Sequence, residues 1–374
     1  MRPKVLIVSP FSGATSGIEA VSRMLLDSPL ATAWELATLD AGTSRTNTER
    51  GRVTWPGIWR MARLTWRMGL ALRQFRPDAI WMQMAANKAM LLKFGILVHS
   101  AQRIAPSVRI IAKFGGGNFD TFYASQIGLA QEFIRTTLDR CAVILVEAEC
   151  LRTQFYGITQ TAKVRAAHLG IDPTAIPFTV RKRPARNILF VGHVSRAKGA
   201  VDLLAAMPVI TKAVPGVRLV MLGEHLRRER NIVQVQDPKM GWKAVKERPA
   251  NVEAPGIVVG PAKRHAFAEA DVFVLPSASE GFPVSVLEAM SSGLPIVCTP
   301  VGALAEILTE GTHCRFIPYG NPERLAEVLS DLMSHAGRFA RQRMAMENRR
   351  AVEERFNLTT FADGVRKAVG DVLA

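Results

Sequence analysis

Residues 271–300, DVFVLPSASEGFPVSVLEAMSSGLPIVCTP, constrain the fold more than any other stretch. Residues 271–275 form an apolar, β-rich run that stops at Pro276. A small polar loop follows, and Pro283 suits a first helical position, where its missing N–H costs nothing. Val284, Leu287 and Met290 recur at helical spacing. Gly293 closes that helix and Pro295 forbids its continuation. Residues 296–299 read as a second buried strand. The unit is βαβ, and sheets built from such units bind ligands where a strand's carboxyl end meets a helix's amino end.

Two carboxylates sit in this unit. Glu280 precedes the helix, and Glu288 falls about a turn and a half inside it. The free N–H groups of Gly281, Phe282 and their neighbours point out of the helix start, where an anion is favoured. A ligand with a phosphate at its centre and hydroxyls at both ends suits this layout, and a nucleotide sugar has that shape.

The pattern E-G-F-P-x-x-x-L-E-A-M-x-x-G-x-P-I-V, with Pro276 before it, resembles the retaining glycosyltransferases of family four. The resemblance implies an α/β, GT-B fold: two Rossmann-like α/β/α domains, an interdomain cleft, and a C-terminal helix that crosses back to the first domain. It also implies transfer of a sugar from a UDP- or GDP-sugar to a hydroxyl acceptor with retained configuration and no essential metal. By the same resemblance Glu280 lies against the donor sugar and Glu288 takes the nucleotide's ribose hydroxyls. Gly281, Phe282, Pro283 and Val284 border the donor.

A chain of 374 residues with 48% hydrophobic content predicts two globular domains. No apolar run approaches the roughly 20 residues that span a bilayer. The apolar run at 4–9 is too short for a signal peptide and reads as a first strand, so we expect a cytoplasmic protein with Cys141, Cys150, Cys298 and Cys314 reduced. The net charge of +16 favours anionic partners, but no nucleic-acid module or zinc-finger spacing accompanies it, so no nucleic-acid partner is expected.

Along the first half, strands are expected at 4–9, 34–39, 78–83, 108–114, 142–146 and 164–168. The glycine loop at 10–17 leads into a helix. In the resembled family this loop carries a Gly-Gly pair; here Gly17 keeps its place as a donor-binding candidate and Ser16 replaces the first glycine. The helix at 57–75 holds Arg60, Arg63 and Arg67 with Trp59 and Trp66 beside them, and no acidic residue occurs between Val53 and Pro77. Such a helix reads either as an anionic-membrane interface, which would make the protein peripheral on the inner face of the cell membrane, or as a packing helix with a solvated basic edge. Gly115, Gly116, Gly117 and Asn118 follow the strand at 108–114 and form the candidate sugar or acceptor loop. The family places a histidine at the position of Gly115, and Lys113 and Asn118 are the nearest polar substitutes.

Residues 173–186, rich in proline and arginine, read as a linker. The expected division is 1–180 for acceptor binding, 181–355 for nucleotide-sugar binding, and 356–374 as the returning helix, anchored by Phe356 and Phe361. A strand at 187–191 leads into Gly192, His193, Arg196 and Lys198, then a helix at 200–213. The resemblance assigns Lys198 to the donor's diphosphate, with a catalytic share alongside Glu280; His193 replaces the family's arginine, and Arg196 is the alternative source of charge. A lysine at a helix start opposes the helix dipole unless an anion is near. Residues 224–255 are expected to contain helix or a mobile insertion. A strand at 257–259 leads to Gly260, which the resemblance places near the nucleobase. A nucleotide-sugar-binding protein that has lost catalysis, and a sugar-nucleotide epimerase of related fold, are the alternative functions. The acceptor is expected to be a glycan or lipid-linked glycan of cell-surface polysaccharide synthesis.

Overall fold

The computed structural model describes residues 2–11, 17–42, 55–181, 183–224, 234–237, 241–244 and 249–373. The chain divides into two compact units: Met1–Gly170 with Leu358–Ala374, and Ile171–Asn357.

The first unit holds a parallel sheet of β1 (Lys4–Ser9), β2 (Glu35–Asp40), β3 (Ala79–Met84), β4 (Arg109–Phe114), β5 (Val143–Val146) and β6 (Val164–Ala166). Their spatial order is β2-β1-β3-β4-β5-β6. The strands are near-continuous apolar runs, as a parallel sheet covered on both faces requires: Val5, Ile7, Ile80, Ile111 and Ile144 are all fully buried. The helix Leu358–Leu373 packs here through Phe361, Val365 and Val369, and Asp371 pairs with Arg165 on β6. Phe356 belongs instead to the second unit, where its ring meets that of Phe282 edge-on at 5.9 Å.

In the helix Trp55–Phe75, Leu64, Met68 and Leu72 face the core. Arg63 and Arg67 are exposed, but Arg60 is half-buried, so the three arginines do not share one solvated face.

The second unit's strands are β7 (Asn187–Val191), β8 (Arg218–Leu222), the pair β9 (Gln234–Asp237) and β10 (Gly241–Ala244), then β11 (Val252–Gly256), β12 (Val272–Leu275), β13 (Ile296–Cys298) and β14 (Cys314–Phe316). Six of them form a parallel sheet in the order β11-β8-β7-β12-β13-β14, while β9 and β10 pair antiparallel by themselves. Within 224–255 the described residues include β9, β10 and β11, and most of the rest of the stretch expected to hold helix or a mobile insertion is not described. Ser16 and most of 224–249 lie outside the described residues. The strand expected at 257–259 is found earlier, at β11. Pro255 argues against a strand in sequence, yet β11 is an edge strand pairing only with β8, and an edge tolerates a residue without an N–H.

The units part at Gly170/Ile171, about ten residues before the compositional boundary near 180. The intervening residues dock on the second unit. Arg181 donates to the carbonyls of Thr179 and Phe267 at 2.7 Å each and to that of Ser292 at 3.1 Å. Burial pulls its pKa down to about 10. Gly293, at φ +69°, leaves room for the Phe178 ring, which a β-carbon would meet at 2.5 Å. Cys298 and Cys314 are buried on adjacent strands, Cys150 is exposed, and none of the four cysteines is in a disulfide.

Candidate active site

The order of the second sheet reverses between β7 and β12: β8 and β11 extend it one way, β13 and β14 the other. The carboxyl ends of strands flanking such a reversal form the crevice where α/β sheets bind ligands. The loops leaving β7 and β12 meet there.

The β7 loop turns through a short 3₁₀ segment, Arg196–Lys198, capped by Ser195, whose hydroxyl accepts from the Lys198 N–H at 3.3 Å. Gly199 then takes φ +71°, and a β-carbon on it would sit 2.0 Å from the Pro276 carbonyl oxygen. Only glycine allows so close an approach. The two loops are joined by the Ala278 N–H donating to the Ala197 carbonyl at 2.8 Å. The result brings Lys198 Nζ to 2.7 Å from Glu280 Oε1. The Ser277 hydroxyl donates to the same carboxylate oxygen at 2.6 Å. Glu280 is buried; Lys198 is half-buried. Two further glycines permit the arrangement. A β-carbon on Gly302 would strike the Glu280 carbonyl oxygen at 2.0 Å, and one on Gly223 would strike that of Gly192 at 1.8 Å.

The helix Val284–Ser291 starts beside Glu280. Pro283 stands at its N-cap in extended geometry (φ −71°, ψ 116°), so the helix starts one residue later than expected, and Pro283 supplies no side-chain cap. The Val286 N–H is taken by the Pro283 carbonyl at 3.0 Å, and among the described residues no side chain accepts from the N–H groups of Val284 and Ser285, which leaves them available to an anion. Phe282 is buried against Phe356, so its ring supports the loop from behind. The Gly281 carbonyl accepts from the Ala303 N–H at 2.9 Å.

Glu288 lies in the same helix, and Lys263 Nζ approaches its Oε1 at 2.7 Å. The other carboxylate oxygen, Oε2, is buried with no hydrogen-bond partner among the described residues. Burial raises the Glu288 pKa, opposed by the Lys263 charge and hydrogen bond. Lys263 escaped the sequence reading. It stands in the first turn of the helix Gly260–Glu269, against the dipole, which is the same electrostatic oddity that singled out Lys198. Gly260 opens that helix at φ +61°. His193 is exposed and Arg196 half-buried on the β7 loop.

In the first unit, Gly17 opens the helix Gly17–Asp27, and among the described residues nothing lies within 4 Å of where its β-carbon would be. The loop 115–117 follows β4, with Gly116 at φ +134° requiring glycine. Gln154 pins it, donating to the Gly116 carbonyl at 3.2 Å and accepting from the Phe119 N–H at 2.7 Å. Asn118 is exposed. Lys113, expected as a polar substitute on this loop, is instead fully buried and paired with Glu147 at 2.8 Å. Burial lowers the Lys113 pKa, and Glu147 opposes that shift. A β-carbon on Gly115 would sit 3.4 Å from the Glu147 carboxylate. Glu147, at the end of an apolar strand, gave no sequence signal.

Residues 185–335 match the family model described as glycosyl transferases group 1. An uncharacterized glycosyltransferase, MJ1607, of Methanocaldococcus jannaschii is 29% identical over 221 residues, 54% of each chain. A D-inositol 3-phosphate glycosyltransferase of Paenarthrobacter aurescens is 32% identical over 150 residues, 39% of this chain and 35% of that one. A glycogen synthase of Mycobacterium tuberculosis is 29% identical over 209 residues, 54% of this chain and 47% of that one. The chain thus spans 35–54% of the length of these relatives. Among solved structures, Anabaena Alr3699/HepE in complex with UDP and glucose superposes with a TM-score of 0.72 at 15% identity, covering 99% of this chain and 100% of that one. Sucrose-phosphate synthase from Thermosynechococcus elongatus gives 0.76 at 14% identity, covering 99% of each. The protein therefore has the α/β fold of GT-B glycosyltransferases, and its second unit matches glycosyl transferases group 1 across 185–335.

Proposed function

We propose that the protein transfers a sugar from a nucleotide-diphosphate sugar to a hydroxyl acceptor, with retention at the anomeric carbon and without a metal. The observation that carries this reading is the Lys198–Glu280 pair at the reversal of the second sheet, beside the start of the helix Val284–Ser291. The Lys198 ammonium and the leading N–H groups of Val284–Ser291 meet the donor's diphosphate, and their preorganised charge stabilises the leaving group. Glu280, held by Ser277, faces the donor sugar. The unpartnered oxygen of Glu288 accepts from ribose hydroxyls while Lys263 keeps the carboxylate oriented. In the transfer, the bond between the anomeric carbon and the diphosphate oxygen breaks, and the acceptor oxygen bonds to that carbon on the same face. The acceptor's proton passes to the departing phosphate oxygen.

UDP is the favoured leaving group, because the HepE structures hold UDP; GDP is the alternative. The acceptor class we favour is a glycan or lipid-linked glycan of polysaccharide synthesis. A second reading, a nucleotide-sugar binder without turnover, draws support from Gly115 standing where the resembled family has a histidine. A thermal-shift screen of nucleotide sugars, followed by product analysis with the best binder, separates the two. Stabilisation with turnover supports transfer; stabilisation without turnover or slow donor hydrolysis supports the binder; no stabilisation by any nucleotide sugar contradicts both.

A further inference from the structure

Two observations in the first unit lie apart from the carboxyl ends of its strands. One is an exposed stripe along the helix Trp55–Phe75. Trp59 is 75% exposed and Trp66 64%, although tryptophan is a largely buried residue. Arg63 and Arg67 are exposed between and beside them. Spaced at i, i+4, i+7 and i+8, these four residues share one side of the helix, opposite Leu64, Met68 and Leu72 in the core. Ile58, 49% exposed, extends the apolar part.

The other is a cavity of about 620 Å³ at the end of the same helix, by the amino ends of β3 and β4. Arg73, Arg76 and Arg109 line it over an apolar floor of Leu72, Ile104 and Val372. Arg73 continues the stripe, lying about 40° round the helix from Trp59 at 100° per residue. Among the described residues the ion pairs nearby engage Lys4 with Glu35 and none of these three arginines. The cavity's carboxylate, Asp78, already accepts from the Lys4 N–H at 2.7 Å. Arg76 carries φ +47°, alone among described non-glycine residues in the left-handed region. Glycine would cap this helix end without strain, so the sequence keeps a cation here at a conformational cost.

We propose that this face docks on an anionic phospholipid bilayer, with Trp59 and Trp66 at the headgroup level and a headgroup phosphate in the Arg73/Arg76/Arg109 cavity. Charge complementarity selects the partner. No acidic residue occurs between Val53 and Pro77, and the chain carries +16 overall. Indole rings favour the membrane–water boundary, and a guanidinium forks onto two phosphate oxygens.

Flotation with phosphatidylcholine vesicles, with and without phosphatidylglycerol, tests this without any donor or acceptor. Wild type should float only with the anionic vesicles, and added salt should release it. Trp59→Ser/Trp66→Ser should abolish flotation. Arg76→Gly should weaken it about fivefold, the share of one arginine near an anionic surface. That variant relieves backbone strain, so its melting temperature should not fall. Arg109→Ser should weaken flotation by a similar factor. Three results overturn the proposal: no flotation of wild type, equal flotation of wild type on both vesicle types, or unchanged flotation of all variants. Thermal stabilisation by inorganic phosphate without flotation, or retention on RNA without flotation, also overturns it, by assigning the cavity to a soluble phosphate or the face to nucleic acid.

Discussion

Lys198 and Glu280 stand 82 residues apart in the chain and 2.7 Å apart in space. The lysine's charge is thus held, in the free protein, by the carboxylate expected to face the sugar. Removing that carboxylate's charge separates binding from chemistry. In Glu280→Gln, UDP should bind as tightly as in wild type or more so, because a like charge near the diphosphate is gone. Sugar transfer should fall about a hundredfold, as when one charge-stabilising group is lost. Titration calorimetry with UDP and a transfer assay read the two effects separately.

Gly199 is the hinge on which this meeting depends. A β-carbon would overlap the Pro276 carbonyl oxygen, and φ +71° disfavours any other residue. Gly199→Ala should cost about 3 kcal/mol in urea unfolding, at the upper end of single-residue effects. A loss below about 0.5 kcal/mol would show that the loops part easily.

Lys263→Met should make stability more dependent on pH. Burial raises the Glu288 pKa above its ordinary 4.5, so the folded state holds that proton more tightly than the unfolded state. Stability therefore declines as pH rises from that ordinary value through the raised one. Without Lys263 the raised pKa climbs further and the decline extends to higher pH. Melting curves of the variant should approach wild type in acid and diverge towards neutrality. Adding Glu288→Gln should remove the divergence; a deficit constant across pH would contradict the linkage.

Lys113→Met leaves the Glu147 carboxylate buried without its ammonium partner. Breaking one side of a buried pair costs about 3–5 kcal/mol, while replacing both partners by apolar residues is often near neutral. Urea unfolding of Lys113→Met should show the full loss, and Lys113→Met/Glu147→Leu should recover much of it. Equal losses in both would mean that the pair packs rather than compensates.

Most of this architecture is legible in the chain because parallel strands buried on both faces leave unbroken apolar runs, as at 4–9, 108–114 and 271–275. Glu280 and Lys198 stood out as candidates for a local reason: each sits in a glycine-bearing loop between strand and helix. What was hidden is long-range. Nothing near Glu147 in sequence announces Lys113, and Lys263 reaches Glu288 only once two helices have packed. The strand at 252–256 was masked by Pro255, whose tolerance depends on an edge position that sequence does not reveal. The compositional linker at 173–186 docks on the second unit because the Arg181 guanidinium donates to the carbonyls of Phe267 and Ser292, contacts that composition does not reveal.

A diphosphate meeting Lys198 at the reversal of the second sheet is the central contact of the proposed transfer. Calorimetric titration of the best-binding nucleotide sugar into wild type and Lys198→Ala tests this directly. Losing one charge-assisted bond to the diphosphate should weaken binding about tenfold to a hundredfold, with Lys198→Arg retaining part of it. Equal affinity of wild type and Lys198→Ala for that donor would contradict the account.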